Sequence, residues 1–422
     1  MPTPTAPPNP SSNNGALAVL GSLFFMLGFI TCMNDILVPH LKEVFELNYF
    51  QATLIQFCFF TAYAVTSIPF GKFIAKLGYK QGVIGGFLIA ALGCVLFYPA
   101  ASAHSYPVFL GALFILASGI TLLQVSGNPY VTLLAPPGKE ARTLTLVQAF
   151  NSLATTIAPQ LGAFLILGAV LLTPEQLAAL SETERLAYQN EQASLVQLPY
   201  LGLAGILILL AIIVSLIKLP AAERIAAQTS AEQGDHRTSV WQYRHLLLGA
   251  GGIFCYVGAE VAIGSLLVNV MALEEVGSLS HKTAAQYLSY YWGGAMVGRF
   301  LGSVLLNYFR PNRCLAFNAA VNVLLILVAV TSGGHTAMYA LLAIGFFNSI
   351  MFPTIFSLAT RGLGKFTSAG SGILSTAIVG GAIVPILQGY AADIYGLLPS
   401  FLLCAVCYCY IIFFGLKGYE PN

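Results

Sequence analysis

The sequence CMNDILVPH, residues 32–40, lies at the far end of an apolar run that begins near Gly15. It places the carboxyl group of Asp35 at membrane depth, where insertion of a charged side chain costs about 2.5–3.5 kcal/mol. Such a group is retained when it faces a water-filled cavity or a partner, and it then has a function. We therefore expect the other spans to give Asp35 a cavity with access from both sides of a membrane.

The composition indicates a membrane protein. Of 422 residues, 57% are hydrophobic and 8% are charged, and the mean hydropathy is +0.80, whereas soluble domains carry about 25% charged residues. The apolar runs lack the alternation of barrel strands, so they predict helices. A net charge of +2 without a long basic run gives no support for nucleic-acid binding. The predicted fold class is therefore an all-α integral membrane protein.

The hydropathy pattern predicts two pseudo-symmetric bundles of six transmembrane helices each. The N-terminal bundle covers 15–217 and the C-terminal bundle covers 245–416, with a polar cytoplasmic linker, 218–244, between them. Residues 1–14, rich in Pro, Ser, Thr and Asn, and residues 417–422 are predicted to be cytoplasmic tails, the first of them disordered. The predicted spans are 15–38, 50–70, 82–101, 107–132, 142–171, 199–217, 245–270, 283–306, 314–331, 336–358, 367–390 and 396–416.

The positions of Lys and Arg predict the orientation. With the N-terminus inside, Lys42, Arg185 and Lys282 fall in outer loops, and the rest of the 18 Lys and Arg, including Arg299, fall in inner loops or in the tail. Because cytoplasmic loops carry an excess of positive charge, we expect both termini to be cytoplasmic. The expected location is the cell inner membrane, crossed many times. Paired halves of this kind bind their substrate between them, near the midplane of the bilayer.

Polar side chains at membrane depth are the candidates for function. Asp35 in span 1 and Glu260 in span 7 are the two carboxylates clearly inside predicted spans, and Tyr256 precedes Glu260 by one helical turn. Gln124 and Asn128 share one face of span 4 by the same i, i+4 spacing. Glu260 could also be structural, since the sequence shows no obvious partner for it. These residues predict a hydrophilic cavity inside the bundle.

Amide and aromatic side chains extend this pattern to other spans. Hydroxyl groups need both donors and acceptors, so amides with aromatic rings suit a neutral polyol such as a sugar. No cluster of buried Arg or Lys offers to bind a phosphate or an organic anion. Each single amide could instead join two helices, and this is the interpretation of Asn318 and Asn322 in span 9. The residues predicted to bind substrate are Gln148, Asn151, Gln56, Tyr63, Glu260, Tyr256, Asn348 and Gln388.

Several segments carry a resemblance to a known family. The stretch GKFIAKLGYK, 71–80, resembles the GxxxDRxGRK signature of the major facilitator superfamily, with Ala75 where the acid usually stands. More specifically, the chain resembles the fucose/proton symporter family, which includes bacterial glucose/galactose transporters. The matching segments are NDILVPHL at 34–41, QATLIQFCFF at 51–60, LQVSGNPYV at 123–131, LVQAFNSL at 146–153, FCYVGAE at 254–260 and FPTIFSL at 352–358.

The resemblance implies the major facilitator fold and cation-coupled sugar symport by alternating access. It also implies a role for three residues: Asp35 matches the span-1 acid tied to cation coupling, and Gln148 and Asn151 match amides that contact the sugar. By this resemblance we expect a neutral hexose such as glucose or galactose as substrate. We expect a monomer in contact with membrane lipid, with no enzymatic activity and no cofactor besides the coupling ion.

One departure from the family pattern bears on the coupling ion. Gln124 stands where proton-coupled fucose carriers have a second membrane acid, a Glu, and an amide does not titrate. We therefore expect Na⁺ rather than H⁺, held by Asp35 with oxygens from Gln124, Asn128 or Thr31. The alternatives left open are a proton-coupled symporter of fucose or N-acetylglucosamine, and an uncoupled sugar facilitator.

Overall fold

A computed structural model of the chain describes residues 15, 17–32, 49–103, 105–166, 180–220 and 237–421. The predicted cation residue Asp35 lies outside these residues. The described part forms twelve main helices, without strands, and a short 3₁₀ turn at Val240–Gln242. The helices are α1 (Leu17–Cys32), α2 (Tyr49–Leu77), α3 (Tyr79–Ser102), α4 (Tyr106–Leu134), α5 (Glu140–Ile166), α6 (Glu182–Leu216), α7 (Arg244–Ala272), α8 (His281–Leu305), α9 (Pro311–Ser332), α10 (Gly334–Ala359), α11 (Gly364–Tyr395) and α12 (Pro399–Gly418).

Nine helices of the described part are long and apolar enough to cross a membrane. α1 is shorter, and α5 and α8 have the length but are more polar than the others. The two polar helices pack against each other, with the rings of Phe150 and Phe300 edge to face at 6.2 Å. The polar side chains that lower the hydropathy of α5 and α8 include Gln148, Asn151 and Arg299.

Two helix boundaries differ from the predicted spans. α6 begins at Glu182, well before the predicted 199, because Ser181 and Glu184 form a capping box: the Glu184 N–H donates to Ser181 Oγ at 3.3 Å and the Ser181 N–H donates to Glu184 Oε2 at 2.9 Å. α2 continues to Leu77, so its connection to α3 is reduced to Gly78, whose φ of 92° favours glycine. Lys80 then donates through Nζ to the carbonyls of Ser215 and Ile217 at the end of α6.

Three helices in the second half of the chain are irregular. α10 is broken between Asn348 and Met351, α11 contains a 3₁₀ turn at Ala377–Val379, and α12 ends in a π turn. A break frees backbone carbonyls from the helical hydrogen-bond ladder, and these groups need other partners. The carbonyl of Ser349, in the break of α10, accepts a hydrogen bond from Arg299 at 3.2 Å.

The helices pack in two groups, α2–α6 and α7–α12, which meet along an α2/α11 seam and an α5/α8 seam. In the first seam the backbones approach so closely that a Cβ on Gly71 would lie 2.8 Å from the Ser368 carbonyl oxygen. Beside it, Ser371 Oγ donates to the Val125 carbonyl of α4 at 2.9 Å. These contacts lie toward the bundle end that carries the α2–α3 turn, hereafter the inner end, which is therefore closed. The exact division at 217–218 and 244–245 stays a prediction.

Candidate functional site

A cluster of amide side chains links α2, α4 and α5. Gln124 Nε2 donates to the hydroxyl of Tyr63 at 3.0 Å, and Gln148 Nε2 donates to Asn128 Oδ1 at 3.1 Å. The helical spacing of Gln124 and Asn128 puts both on the face of α4 that meets its neighbours. With Asn151, one turn after Gln148, these residues are named the amide cluster.

The amide cluster is tied to α1 by Asn151. Its Nδ2 donates to the Phe24 carbonyl at 3.0 Å, at a point where a Cβ on Gly28 would lie 2.3 Å from the Asn151 carbonyl oxygen. Further along, Cys32 Sγ lies 3.6 Å from the Thr155 carbonyl. α1, the helix that precedes Asp35 in the sequence, is thus fastened to the same face of α5 that carries the amides.

The amide cluster keeps unused hydrogen-bonding groups. The side-chain oxygens of Gln124, Gln148 and Asn151 accept no hydrogen bond from the described residues, and Gln124 and Asn151 are only half-buried. Asn128 is fully buried, and its Nδ2 likewise has no partner among the described residues. Amide oxygens whose side chains are held by one hydrogen bond through the nitrogen, and which accept none themselves, can accept hydrogen bonds from substrate hydroxyls.

The second polar group lies in the other half of the chain and centres on Glu260. The Tyr256 hydroxyl donates to Glu260 Oε1 at 2.7 Å, as their one-turn spacing predicts, and the Tyr291 hydroxyl donates to the Glu260 backbone carbonyl at 3.3 Å. The positive charge of Arg299 on α8 acts on the same carboxylate. Glu260 is therefore in direct contact with a hydroxyl donor, whereas the charge of Arg299 acts on it without forming an ion pair.

Arg299 was predicted in an inner loop, and this is wrong. It lies inside α8, half-buried, where it donates through Nε to the Ser349 carbonyl and through its guanidinium to Ser152 Oγ on α5. The charge count assigned Arg299 to a loop because the residue lies near the inner end of its helix. The sequence did indicate a position inside the helix, since Gly298 and Phe300 flank Arg299 and the apolar run continues to Leu305.

Asn348 is part of the protein's own hydrogen-bond network. It is fully buried; its Nδ2 donates to the Tyr291 hydroxyl at 3.0 Å, and its Oδ1 accepts from Tyr408 at 2.7 Å and from Asn322 at 2.8 Å. Both lone pairs of the amide oxygen are in use, so the predicted contact with a substrate is not favoured. Asn322 joins two helices in the way its prediction described.

The remaining predicted residues do not join these groups. Gln56 is exposed on α2, and its side chain forms no hydrogen bond with the described residues. Thr31 Oγ1 donates to the Leu27 carbonyl of its own helix at 2.9 Å. Gln388 is fully buried, and both of its amide atoms are without a partner in the described part of the chain. No group of three metal-binding side chains occurs in that part.

Comparison with known proteins adds to this geometry. The sequence model of the Major Facilitator Superfamily matches residues 19–384. A glucose/galactose transporter of Brucella abortus is 54% identical over 404 residues, covering 96% of this chain and 94% of the relative. The L-fucose-proton symporter of Escherichia coli is 37% identical over 406 residues, covering 94% of this chain and 92% of the relative.

Solved structures agree with these relatives. The E. coli fucose:proton symporter superposes with a TM-score of 0.89 at 35% identity, over 97% of this chain and 100% of the other. A structure described as its outward conformation gives 0.88, with the same identity and coverage. A proton:xylose symporter superposes at 0.76 with 12% identity, which shows the fold alone. The predicted twelve-helix all-α membrane fold is thereby confirmed, and the chain belongs to the major facilitator superfamily and, within it, to the fucose/proton symporter family.

Proposed function

We propose that the protein is a cation-coupled symporter of a neutral hexose, glucose or galactose. The observation that carries the proposal is the amide cluster, where three side-chain oxygens are held in place on α4 and α5 without an acceptor role inside the described part of the chain. A glucose/galactose transporter at 54% identity supports the choice of sugar. As a member of a transporter family, the protein moves its substrate across a membrane and does not transform it.

The sugar site proposed here lies mainly on the N-terminal half. Gln148 and Asn151 accept hydrogen bonds from sugar hydroxyls, and the buried ring of Tyr63, fixed by Gln124, forms part of the wall. From the C-terminal half, Glu260 accepts a further hydroxyl while Tyr256 holds the carboxylate in place. A ligand that touches both halves at once binds each conformation differently, which is the requirement for a shift between two states.

The coupling ion proposed is Na⁺. Asp35 supplies the charge, and oxygens of Gln124, Asn128 and Thr31 are the candidates to complete the ligand set. Binding of a cation neutralises Asp35 and so lowers the free-energy cost of closing a dry cavity around it. In support, the α4 position where the second acid is expected holds an amide that is hydrogen-bonded to Tyr63.

Proton coupling is the second candidate, favoured by a 37% identical relative named as an L-fucose-proton symporter. In that case Asp35 itself takes up and releases the proton, and fucose becomes a candidate substrate. An N-acetylglucosamine symporter and an uncoupled facilitator complete the alternatives. The proposed setting is the same for all of these: a monomer in the inner membrane with both termini in the cytoplasm.

Uptake of labelled glucose or galactose into proteoliposomes tests the proposal. An inward Na⁺ gradient at fixed pH is compared with an inward H⁺ gradient without Na⁺. We expect accumulation with Na⁺ alone, and loss of accumulation in Asp35→Asn with sugar exchange retained. Asp393→Asn, which removes an exposed carboxylate near the end of α11, is the matched control. Accumulation with H⁺ alone selects the second candidate, and full accumulation by Asp35→Asn contradicts the cation site.

A further inference from the structure

A groove on the outside of the C-terminal half has no part in the proposed sugar site. It has a volume of about 470 Å³ and lies between α8 and α9, with α10 as its floor. Its walls are apolar side chains that are open to the surroundings: Leu301 and Leu305 are each 50% exposed, and Phe317 is 64% exposed. Since membrane-spanning helices surround it, hydrocarbon chains are the material that can fill this space.

The floor of the groove is formed by close approach of two helices. A Cβ on Gly302 would lie 2.2 Å from Cγ2 of Ile350, and a Cβ on Gly298 would lie 2.6 Å from the Phe346 carbonyl oxygen. These contacts between α8 and α10 keep the depth of the groove fixed. The groove is therefore a built feature of the fold, with a width set by α8 and α9.

A cation stands at the inner end of this groove. Arg313 lies in the first turn of α9, is exposed, and its side chain forms no hydrogen bond or ion pair with the described residues. By the distribution of Lys and Arg, this end faces the cytoplasm, where a lipid phosphate would lie. Basic pockets between transmembrane helices on that side bind anionic lipid head groups.

A polar side chain lies deeper in the same groove. Asn318 is five residues after Arg313, about 7.5 Å further along the helix axis at 1.5 Å per residue. It was predicted to join two helices, as Asn322 does, but its amide has no hydrogen-bond partner in the described part of the chain. Behind a phosphate at Arg313, the next polar groups of a glycerophospholipid are its ester carbonyls, which accept hydrogen bonds from an amide N–H.

We propose that the α8/α9 groove binds one anionic glycerophospholipid, with its phosphate at Arg313, an ester carbonyl at Asn318 and an acyl chain along Leu301 and Leu305. The order of cation, amide and apolar walls along the groove matches the order of phosphate, ester and hydrocarbon along the lipid. A zwitterionic lipid has the same ester and chain but carries its own ammonium group, so it gains less from Arg313.

Native mass spectrometry of the full chain, purified and exposed to equal amounts of phosphatidylglycerol and phosphatidylethanolamine, tests the proposal. We expect one retained phosphatidylglycerol, preferred about fivefold over the zwitterionic lipid. Arg313→Gln should remove the preference. Arg310→Gln is the matched control, because it removes a charge at the same end but lines a different cavity, hereafter the inner vestibule, formed between α4, α5, α9 and α10 with Glu140, Ser357 and Arg361. Equal loss in both variants would mean unspecific charge attraction and overturn the proposal.

Two further variants test the position of the chain within the groove. Cys314→Phe fills the groove beside α9 and should reduce retention of both lipids, whereas Asn318→Leu should reduce retention without changing the preference between them. Binding by Cys314→Phe equal to that of the unmodified protein would place the lipid elsewhere and overturn the proposal. If Cys314→Phe fails to fold, Arg313→Gln still tests the proposal, because a substitution at this exposed position should not disturb folding.

Discussion

The amide cluster and the network around Asn348 are both polar groups at membrane depth, and they differ in how their hydrogen bonds are used. In the Asn348 network, two tyrosines and Asn322 fill both lone pairs of the amide oxygen and one amide N–H, and the residues are fully buried. In the amide cluster, each of Gln124, Gln148 and Asn151 makes one bond and keeps its oxygen free of partners in the described part of the chain. Unused hydrogen-bonding groups, more than polarity itself, therefore distinguish a ligand-binding surface from a contact that holds helices together.

The largest expected effect is on stability and comes from Asn348→Ala. The change leaves the Tyr408 hydroxyl and the Asn322 amide N–H without their acceptor in a buried place, and each such group costs about 1–3 kcal/mol. The Tyr291 hydroxyl loses its donor but keeps its bond to the Glu260 carbonyl. We expect a large fall in melting temperature, measured by thermal denaturation in detergent. Asn318→Ala, in the same half, should leave it unchanged. A stable Asn348→Ala protein with impaired sugar affinity would make Asn348 a binding residue after all.

The next effect concerns the contact between the halves. Ser152→Ala removes the one acceptor that Arg299 has across the α5/α8 seam among the described residues, and a hydrogen bond to a charged group contributes about 1.5–3 kcal/mol. We expect the inner end to open more often, measured as faster alkylation of a cysteine introduced at Ser357, in the inner vestibule. Ser303→Ala is the control, because in the described part of the chain that hydroxyl bonds only to the Phe300 carbonyl of its own helix. Equal rates in both variants would show that the seam does not depend on Arg299.

A smaller effect is expected on substrate affinity. Gln148→Ala removes one acceptor for a sugar hydroxyl, and a hydrogen bond of about 1–1.5 kcal/mol corresponds to roughly a tenfold rise in KM. Measurement of uptake against sugar concentration gives this value. Gln56→Ala removes an exposed amide outside the cluster and should leave KM unchanged. If Gln56→Ala has the larger effect, the sugar site lies nearer the start of α2 than the amide cluster does.

The smallest effect is a gain. Gln388 is buried with both amide atoms unpaired in the described part of the chain, so the apolar Gln388→Met, of similar volume, should raise the free energy of unfolding by about 1 kcal/mol. Thermal denaturation with and without glucose measures it. If glucose stabilises the unmodified protein but not Gln388→Met, then Gln388 binds the sugar, as the sequence analysis predicts.

Contacts within one helix or between regular helical faces were the predictable part of this site. The one-turn spacing of Tyr256 and Glu260 corresponds to a hydrogen bond, and the shared face of Gln124 and Asn128 reaches α2 and α5. The twelve spans follow from hydropathy even for α5, where polar residues lower it. Local periodicity carries this information because each helix is regular over most of its length.

Contacts that depend on three-dimensional packing were not predictable. Asn348 meets partners from three other helices, so its pattern in the sequence equals that of a binding amide. Pro353, four residues after Ser349, lacks the N–H that would bond to the Ser349 carbonyl, so the sequence marks the freed carbonyl but not Arg299 as its partner. Gln388 and Gln56 share the polar character of the cluster, and only their burial and their lack of hydrogen bonds in the described part of the chain set them apart.

The glycine contact between α2 and α11 has a consequence for how the protein changes shape. At Gly71 and Gly372 main chain touches main chain, and a Cβ on Gly372 would lie 2.7 Å from the Ser67 carbonyl oxygen. When these two main-chain surfaces separate, no side chain has to change its rotamer. The energy barrier to separation and to renewed contact is therefore low. One added methyl group at either position would clash with the facing main chain and so favour the separated arrangement of the two halves.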